Sequence, residues 1–292
     1  MDDRAAASPP MPPSDDDASI GISPLAETRH LRWRAGQGAA DDRVIPEETA
    51  IAFTYNGSTH AVMMASPADL EDLAVGFSLN EAIIDAPGQI EAIDAVTVPD
   101  GIDLRIWLSA ERAAGLIERR RHVAGPTGCG LCGIDSLAAA MRPPRAVGPG
   151  ITMTPGQVAA ALDSLPPAQH WGRISRAMHA AAFWHPARGL MLLREDVGRH
   201  NALDKLAGAL ARAGIDAADG VLVITSRVSI EMVQKAARIG VSVMIAVSAP
   251  TALAVRMAEA AGLTLIAIAR ADGFEIFTRP DRVPAAEQGM AG

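Results

Sequence analysis

The stretch "VLVITSRVSIEMVQKAARIGVSVMIAVSAPTALAVRMAEAAGLTLIAIA", residues 221–269, alternates short apolar runs with amphipathic segments. The apolar runs are residues 221–225, 241–247 and 263–269, and they contain almost no polar side chain. Strands that are this short and this apolar are typical of a sheet covered on both faces by helices. The stretch therefore predicts a layered α/β domain.

The same alternation extends over residues 149–282, which we predict to form one domain. In open α/β sheets a ligand binds at the carboxyl ends of the strands. The predicted strands are followed by "REDVGRHN" (194–201), "TSRVS" (225–229) and "SAPTALAV" (248–255), so we expect a ligand there. Apart from the three runs above, the pattern predicts helices at 155–164, 174–184, 201–213, 229–239 and 251–261, and strands at 189–194 and 274–278.

The preceding part of the chain predicts a smaller α+β domain at residues 43–122. Two hairpins are indicated, one turning at Asn56–Gly57 and the other at Asp100–Gly101, with a helix between them. The remaining segments carry no such periodicity. They are predicted to be a disordered tail rich in Pro, Asp, Ala and Ser (1–42), a cysteine loop with a linker (123–148) and a carboxyl-terminal tail (283–292).

The composition excludes several classes of function. The 292 residues carry a formal net charge of -8 and only 3% aromatic residues, which argues against nucleic acid as a partner. The amino terminus lacks the pattern of a secretory signal, and the most apolar run, 241–249, is far too short to cross a membrane. We therefore expect a cytoplasmic protein that contacts no membrane.

Both cysteines lie in "GPTGCGLCGID", residues 125–135, and several kinds of site are compatible with their spacing. A structural zinc site usually needs four Cys or His ligands, but the chain has no further cysteine and no His-x3-His pair. A zinc deaminase needs a glutamate two residues after its histidine, but His179 is followed by Ala180 and Ala181. We therefore expect no zinc or other bound metal.

Two interpretations of Cys129 and Cys132 remain: a dithiol redox pair and a nucleophilic sulfur. A redox pair of the thioredoxin kind follows a strand directly, whereas a polar helix precedes these cysteines. That helix ends in basic residues, 119–122, whose positive charge would lower the pKa of a nearby thiol. The surrounding glycines leave the backbone unrestricted, which suits a thiolate nucleophile that meets two partners in turn.

The stretches after the strands contain residues suited to an anionic ligand. Arg227 precedes a predicted helix start, and a cluster of charged residues follows the strand at 189–194. Because no P-loop or GxGxxG motif is present, an ordinary ATPase or dehydrogenase is not indicated. Each of these residues also has a purely structural interpretation. The charged cluster could be a solvated helix entrance with local ion pairs, His179 could be a packed core histidine, and Arg270 could be a turn arginine. The charged cluster consists of Glu195, Asp196, Arg199, His200, Asp204 and Lys205.

Taken together, these motifs resemble the FdhD family, the sulfur carrier proteins required for the maturation of formate dehydrogenase. The resemblance runs in order from about residue 45 to residue 280. It implies a cytidine-deaminase-like layered α/β domain that lacks zinc chemistry. The motifs that carry it are "GCGLCG" (128–133), "MHAAA" (178–182), "REDVGRHNALDK" (194–205), "TSRVSIEMVQKAA" (225–237), "SAPTALAV" (248–255) and "LTLIAIARADGFEIF" (263–277).

The resemblance also implies a reaction. A cysteine desulfurase would donate sulfur to Cys129, and the persulfide would sulfurate the molybdenum or tungsten of a bis(molybdopterin guanine dinucleotide) cofactor, with Cys132 in a secondary role. A guanine nucleotide would occupy the same site, and the protein would be a homodimer that serves apo-formate dehydrogenase. The alternative function is a non-enzymatic chaperone that only holds the cofactor. The cofactor-binding residues expected from the resemblance and from the strand ends are Ile268, Ala269, Arg270, Ala271, Asp272, Gly273, Arg227 and His200.

Overall fold

A computed structural model describes residues 21–121 and 144–284 of the chain. Within these ranges the fold is a mixed α/β structure with three sheets, which confirms the predicted α/β class. The predicted similarity to cytidine deaminases stays a prediction. None of the helices in the described part of the chain is long and apolar enough to span a membrane.

The first sheet is a two-stranded hairpin made of β1 (Leu25–Arg34) and β2 (Gln37–Pro46). The predicted disordered tail, residues 1–42, is therefore wrong from Leu25 onward. The two strands pair along their whole length, and Arg43 Nη2 donates to the Ser175 carbonyl at 3.5 Å. Most side chains on both faces of this ribbon remain in contact with solvent, so its sequence carries no hydrophobic alternation that would predict a strand.

The second sheet forms the smaller unit, with the strand order β4-β3-β6-β5. Both predicted hairpins are present, and β3 and β6 pair in parallel between them. Helix α1 packs on one face and closes a core around Phe53, Leu73 and Phe77. The elements of this unit are β3 (Thr49–Tyr55), β4 (Ser58–Ala65), α1 (Leu70–Asn80), a 3-10 turn (Pro87–Gln89), β5 (Ile90–Val98), β6 (Gly101–Leu108) and α2 (Ala110–Arg121).

The third sheet has six strands in the order β12-β11-β10-β9-β7-β8. Separate apolar clusters cover its two faces, as the apolar strands predict. Helices α6, α7 and α8 cover one face and α3 covers the other. The strands are β7 (His179–His185), β8 (Gly189–Asp196), β9 (Val221–Ile224), β10 (Val243–Ala246), β11 (Thr264–Arg270) and β12 (Gly273–Thr278). The helices are α3 (Pro155–Asp163), α4 (Leu165–Ala168), α5 (Trp171–Ser175), α6 (Arg199–Arg212), α7 (Ile230–Ile239) and α8 (Ala252–Ala261), with 3-10 turns at Ala217–Asp219 and Pro280–Arg282.

The predicted helix at 174–184 is wrong, because His179–His185 forms the interior strand β7. Its side chains alternate between the two apolar clusters: Ala181 and Phe183 belong to one, and Ala182 and Trp184 to the other. Alanine favours helices in isolation, but burial between two layers overrides that preference here. The other elements predicted for this domain are present, with ends shifted by a few residues.

The two α/β units meet where α1 crosses α6. At the crossing lie Gly76 of α1 and Gly208 of α6, and a Cβ atom at either position would overlap a backbone carbonyl of the other helix. Beside them, Asp72 of α1 accepts hydrogen bonds from Arg194 Nε at 2.8 Å and from Arg212 Nη1 at 2.7 Å. The contact therefore combines close backbone packing with ion pairs to one buried carboxylate.

We expect Gly208→Ala to destabilise the protein by about 1–3 kcal/mol or more, because the added methyl group forces the two helices apart. The matched control is Gly115→Ala on α2, where a Cβ atom meets nothing within 4 Å. This exposed helical position gains roughly 0.5–1 kcal/mol from the same substitution. Urea unfolding of both variants measures the difference, and equal midpoints for Gly208→Ala and the wild type would contradict the predicted overlap.

Candidate functional site

The candidate site is one edge of the six-stranded sheet. Strand β7 pairs antiparallel with both β8 and β9, while β9, β10 and β11 pair in parallel. The carboxyl ends of β8, β9, β10 and β11 therefore meet at one edge, together with the first residues of β7 and β12. We call this the carboxyl edge. The three stretches that follow β8, β9 and β10 all begin there, as the sequence predicts.

The stretch after β8 lies farther from the stretches after β9 and β10 than the sequence suggests, because another strand lies between β8 and β9. Strand β7 lies between β8 and β9, so its first residue, His179, stands between the stretch at 194–201 and the stretch at 225–229. The loops after β9 and β10 are joined directly, because Thr251 N donates to the Val228 carbonyl at 3.0 Å. Thr251 also caps α8 by accepting from Ala254 N.

Glu195, at the end of β8, holds the segment that precedes β7. Its carboxylate accepts hydrogen bonds from the backbone N–H groups of His170, Trp171 and Gly172 at 2.7–2.9 Å. The side chain is buried. Glu195 therefore fixes the chain around α5 and has little capacity left for a ligand.

Asp196, the last residue of β8, forms a fully buried ion pair with Lys205 of α6, with 2.7 Å between Oδ2 and Nζ. Oδ2 also accepts from Ser66 N at 3.0 Å, and Oδ1 accepts from Gly198 N and Asn201 Nδ2. Lys205 Nζ in turn donates to the Ser66 carbonyl at 3.0 Å. The pair therefore joins the carboxyl edge to the segment between β4 and α1.

Asp204 is likewise used inside the protein. It is buried and accepts from Lys235 Nζ of α7 and from Asn80 Nδ2 of α1, both at 2.6 Å. The ion-pair interpretation of the charged cluster is thus correct for Asp204 and for the Asp196–Lys205 pair. These pairs are buried, however, and not the solvated pairs that the sequence alone suggests.

The remaining basic residues of the cluster are Arg199 and His200, in the first turn of α6. Among the described residues, neither Arg199 Nε nor His200 Nε2 has a hydrogen-bond partner, although both atoms are buried. His200 Nε2 lies 4.0 Å from Glu231 Oε2. Burial, together with the positive charges of Lys235 and Arg199, lowers the pKa of His200 to about 4, so its imidazole is neutral at pH 7.

His179 is not a packed core histidine, because it stays partly exposed at the carboxyl edge. It lies opposite Asp196 in the β7–β8 pairing. Burial and then the charge of Arg199 lower the pKa of His179. The first turn of α6 and the start of β7 thus form one polar surface, which the sequence could indicate only through the motif that contains Arg199 and His200.

The predicted cofactor residues 268–273 form the end of β11, a turn and the start of β12. Ile268 has a positive φ of 50°, rare for a β-branched residue, and lies in a bulge of β11 between Ala267 and Arg270. Arg270 and the turn that follows it are exposed. Arg227, in the loop between β9 and α7, is exposed as well.

The predicted site residues are therefore distributed along the carboxyl edge. His200 lies at the β8 end, Arg227 near the middle and Arg270 at the β11 end. Cys129 and Cys132 lie outside the described residues, as does the rest of the cysteine loop up to residue 143. Within residues 21–121 and 144–284, no group of three or more His, Cys, Asp or Glu side chains is arranged to hold a metal ion.

We expect Asp196→Asn to destabilise the protein by roughly 3–5 kcal/mol, because it leaves the Lys205 ammonium buried without a counter-charge. The matched control is Asp41→Asn, which removes an exposed ion pair with Arg32. That change should alter the free energy of unfolding by less than about 1 kcal/mol. Denaturant unfolding at neutral pH compares the two variants, and losses of similar size would show that burial of the pair has no energetic consequence.

The low pKa of His200 predicts a loss of stability in acid. The unfolded chain takes up a proton near pH 6.5, whereas folded His200 does so only near pH 4, so this histidine removes stability as the pH falls between these values. The loss is expected to reach about 3 kcal/mol by pH 4. His200→Gln should flatten the pH dependence of the unfolding free energy in this window. Parallel curves for His200→Gln and the wild type would contradict the assignment.

Comparison with known proteins gives consistent results. The sequence model of the FdhD/NarQ family matches residues 46–284. A protein of Agrobacterium fabrum named "Sulfur carrier protein FdhD" is 52% identical, and the match covers 86% of this chain and 93% of that protein. A protein of the same name from Brucella abortus is 50% identical, with 88% and 96% covered.

The fold also matches a solved structure. This is the crystal structure of a protein from Desulfotalea psychrophila that was assigned as a formate dehydrogenase accessory protein. The TM-score is 0.69 at 22% sequence identity, and the match covers 89% of this chain and 99% of the other. At this identity the likeness concerns the fold alone. Because the family match and the two relatives cover most of the sequence, this chain is a member of the FdhD/NarQ family.

Proposed function

We propose that this protein is a sulfur carrier for the maturation of formate dehydrogenase, in which Cys129 carries sulfur as a persulfide. The observation that carries the proposal is the family match over residues 46–284, which includes both cysteines. The relatives with about half of their residues identical are named sulfur carrier proteins. The protein is thus a sulfurtransferase that takes sulfur from a cysteine desulfurase and gives it to a metal cofactor.

The first step is a thiol exchange. The Cys129 thiolate attacks the terminal sulfur of the desulfurase persulfide, the sulfur–sulfur bond of the donor breaks, and the donor cysteine leaves as a thiolate. The new persulfide on Cys129 conserves the sulfur at its oxidation level. In the sequence, the basic residues 119–121 precede Cys129 by eight positions or more, and we expect their positive charge to favour the ionised thiol.

The second step delivers sulfur to the substrate, a molybdenum or tungsten bis(molybdopterin guanine dinucleotide). Cys129 leaves as a thiolate, and the metal supplies the two electrons that convert the transferred sulfur to a bound sulfide. Cys132 has a secondary role: its thiolate can attack the inner sulfur of the persulfide, which forms a disulfide with Cys129 and releases hydrosulfide.

The carboxyl edge is the proposed binding site for this substrate. The phosphate groups of the substrate require positively charged side chains, and Arg227 and Arg270 are exposed at this edge. His200 would add a neutral hydrogen-bond donor. The stretch 268–273 would lie against one guanine dinucleotide of the cofactor, and a free guanine nucleotide would bind along the same carboxyl edge. As part of the same proposal, the protein forms a homodimer and contacts apo-formate dehydrogenase.

The attachment of the cysteine segment is compatible with delivery to this edge. Val147 N donates to the Ala261 carbonyl at 2.9 Å, at the end of α8 that lies away from the carboxyl edge. Cys129 precedes Val147 by enough residues to reach about 60 Å when the chain is extended. The strands of the sheet are four to eight residues long, so they span only about 13–26 Å. Distance along the chain therefore does not prevent the persulfide from reaching the bound metal.

The test uses Cys129→Ala with Cys132→Ala as the matched control. After incubation with a cysteine desulfurase and cysteine, mass spectrometry should find one added sulfur atom in the wild type and in Cys132→Ala, but none in Cys129→Ala. Formate dehydrogenase in cells that contain only Cys129→Ala should be inactive. Equal loss of activity in the two cysteine variants would contradict the assigned roles.

The alternative is a chaperone that only holds the cofactor through Arg270, Arg227 and His200. The exposed arginines at the edge are compatible with this chaperone function. Holding the cofactor would not require a thiol. The same experiment separates the two functions. A chaperone would still support formate dehydrogenase after Cys129→Ala, whereas a sulfur carrier would not.

A further inference from the structure

Arg199 differs from the buried cations near the carboxyl edge because no residue in the described part of the chain provides a counter-charge for it. Arg194 binds Asp72, and Lys205 binds Asp196, at 2.7 Å in each case. No carboxylate among the described residues lies within ion-pair distance of Arg199, and its buried Nε makes no hydrogen bond there. The nearest acidic side chain in the sequence, Asp196, already accepts from four donors.

The position of Arg199 makes it accessible to a ligand. It is the first residue of α6, three positions after the end of β8, and as a whole it remains partly exposed. Its charge acts on His179 at the start of β7 and on His200, because it lowers the pKa of both. Both histidines are therefore neutral at pH 7, and a neutral imidazole can still donate one hydrogen bond.

A buried donor without a partner destabilises the folded protein, so its presence requires an explanation. A guanidinium group is suited to phosphate and carboxylate oxygens, which it binds with two parallel N–H donors. The same edge carries Arg227 and Arg270, which are exposed. An anionic ligand at the edge would satisfy Arg199 as well as these two residues.

We propose that Arg199 is a ligand-binding residue that contacts a phosphate group of the substrate at the β8 end of the carboxyl edge. The inference rests on the proposed function in one respect, namely that the phosphate belongs to the guanine dinucleotide. Strand β8 lies four positions from β11 in the sheet, a separation of about 19 Å. The Arg199 subsite is therefore separate from residues 268–273, and a ligand that contacts both ends is extended and carries anionic groups far apart.

The test compares Arg199→Met, Arg199→Lys and the matched control Arg188→Met. Arg188 is exposed and lies at the β7–β8 turn, on the opposite edge of the same strands. Calorimetric titration with guanosine diphosphate should show affinity reduced roughly ten- to hundredfold for Arg199→Met. Arg199→Lys should recover part of this loss because it retains the charge, and Arg188→Met should bind as the wild type does.

The melting temperature of the ligand-free protein provides the second measurement. If Arg199 is kept for a ligand, Arg199→Met leaves this temperature unchanged or raises it by a few degrees, since a buried donor without a partner is removed. A structural arginine would lower it. Unchanged affinity in Arg199→Met, a lowered melting temperature, or no binding of guanosine diphosphate to the wild type would each overturn the inference.

These outcomes are distinguishable from a failure of the proposed function. Arg199→Met should still acquire the Cys129 persulfide from the desulfurase, because that step does not use the carboxyl edge. A variant that acquires sulfur and binds guanosine diphosphate normally disproves only the Arg199 subsite. A wild-type protein that acquires no sulfur, while Arg199→Met loses affinity, disproves the sulfur carrier and leaves the subsite supported.

Discussion

The buried ion pair between Asp196 and Lys205 is the interaction on which the arrangement of the two units depends. Two charges in a protein interior are stable only when their remaining hydrogen bonds are also made. Here the carboxylate accepts from Ser66 N, and the ammonium donates to the Ser66 carbonyl. The end of β8 and the start of α6 are thereby fixed against the segment that leads into α1. Removing either charge of the pair leaves the other charge buried without a counter-charge.

This network also determines the electrostatic character of the carboxyl edge. Because Asp196 and Asp204 pair with lysines and Glu195 binds backbone N–H groups, three carboxylates near the edge are not available to cations there. Arg199 and the exposed Arg227 remain. The proposed anionic ligand would therefore meet cations at the edge, although the chain as a whole carries a net charge of -8.

The sequence predicts the sheet and its edge because both depend on local patterns. Apolar runs identify β9, β10 and β11, and the polar stretches that follow strands identify the edge. The partners of the polar residues are not predictable in this way. Asp196 and Ser66 are separated by 130 positions, and Arg194 and Asp72 by 122. The sequence predicts a helix for β7 because alanine favours helices. Its burial between two layers, which overrides this preference, depends on distant parts of the chain and is not visible in the local pattern.

In the proposed function, the ligand site and the residue that carries sulfur have different requirements. A ligand must be held in a fixed orientation, and the carboxyl edge provides this because its strands belong to a sheet that is covered on both faces. In the proposed function, a carrier sulfur would instead meet a donor protein and a bound metal in turn. In the sequence, Cys129 and Cys132 come between α2 and Val147 and precede the six-stranded sheet. Separating the sulfur from the ligand site along the chain is therefore a requirement of transfer between two partners.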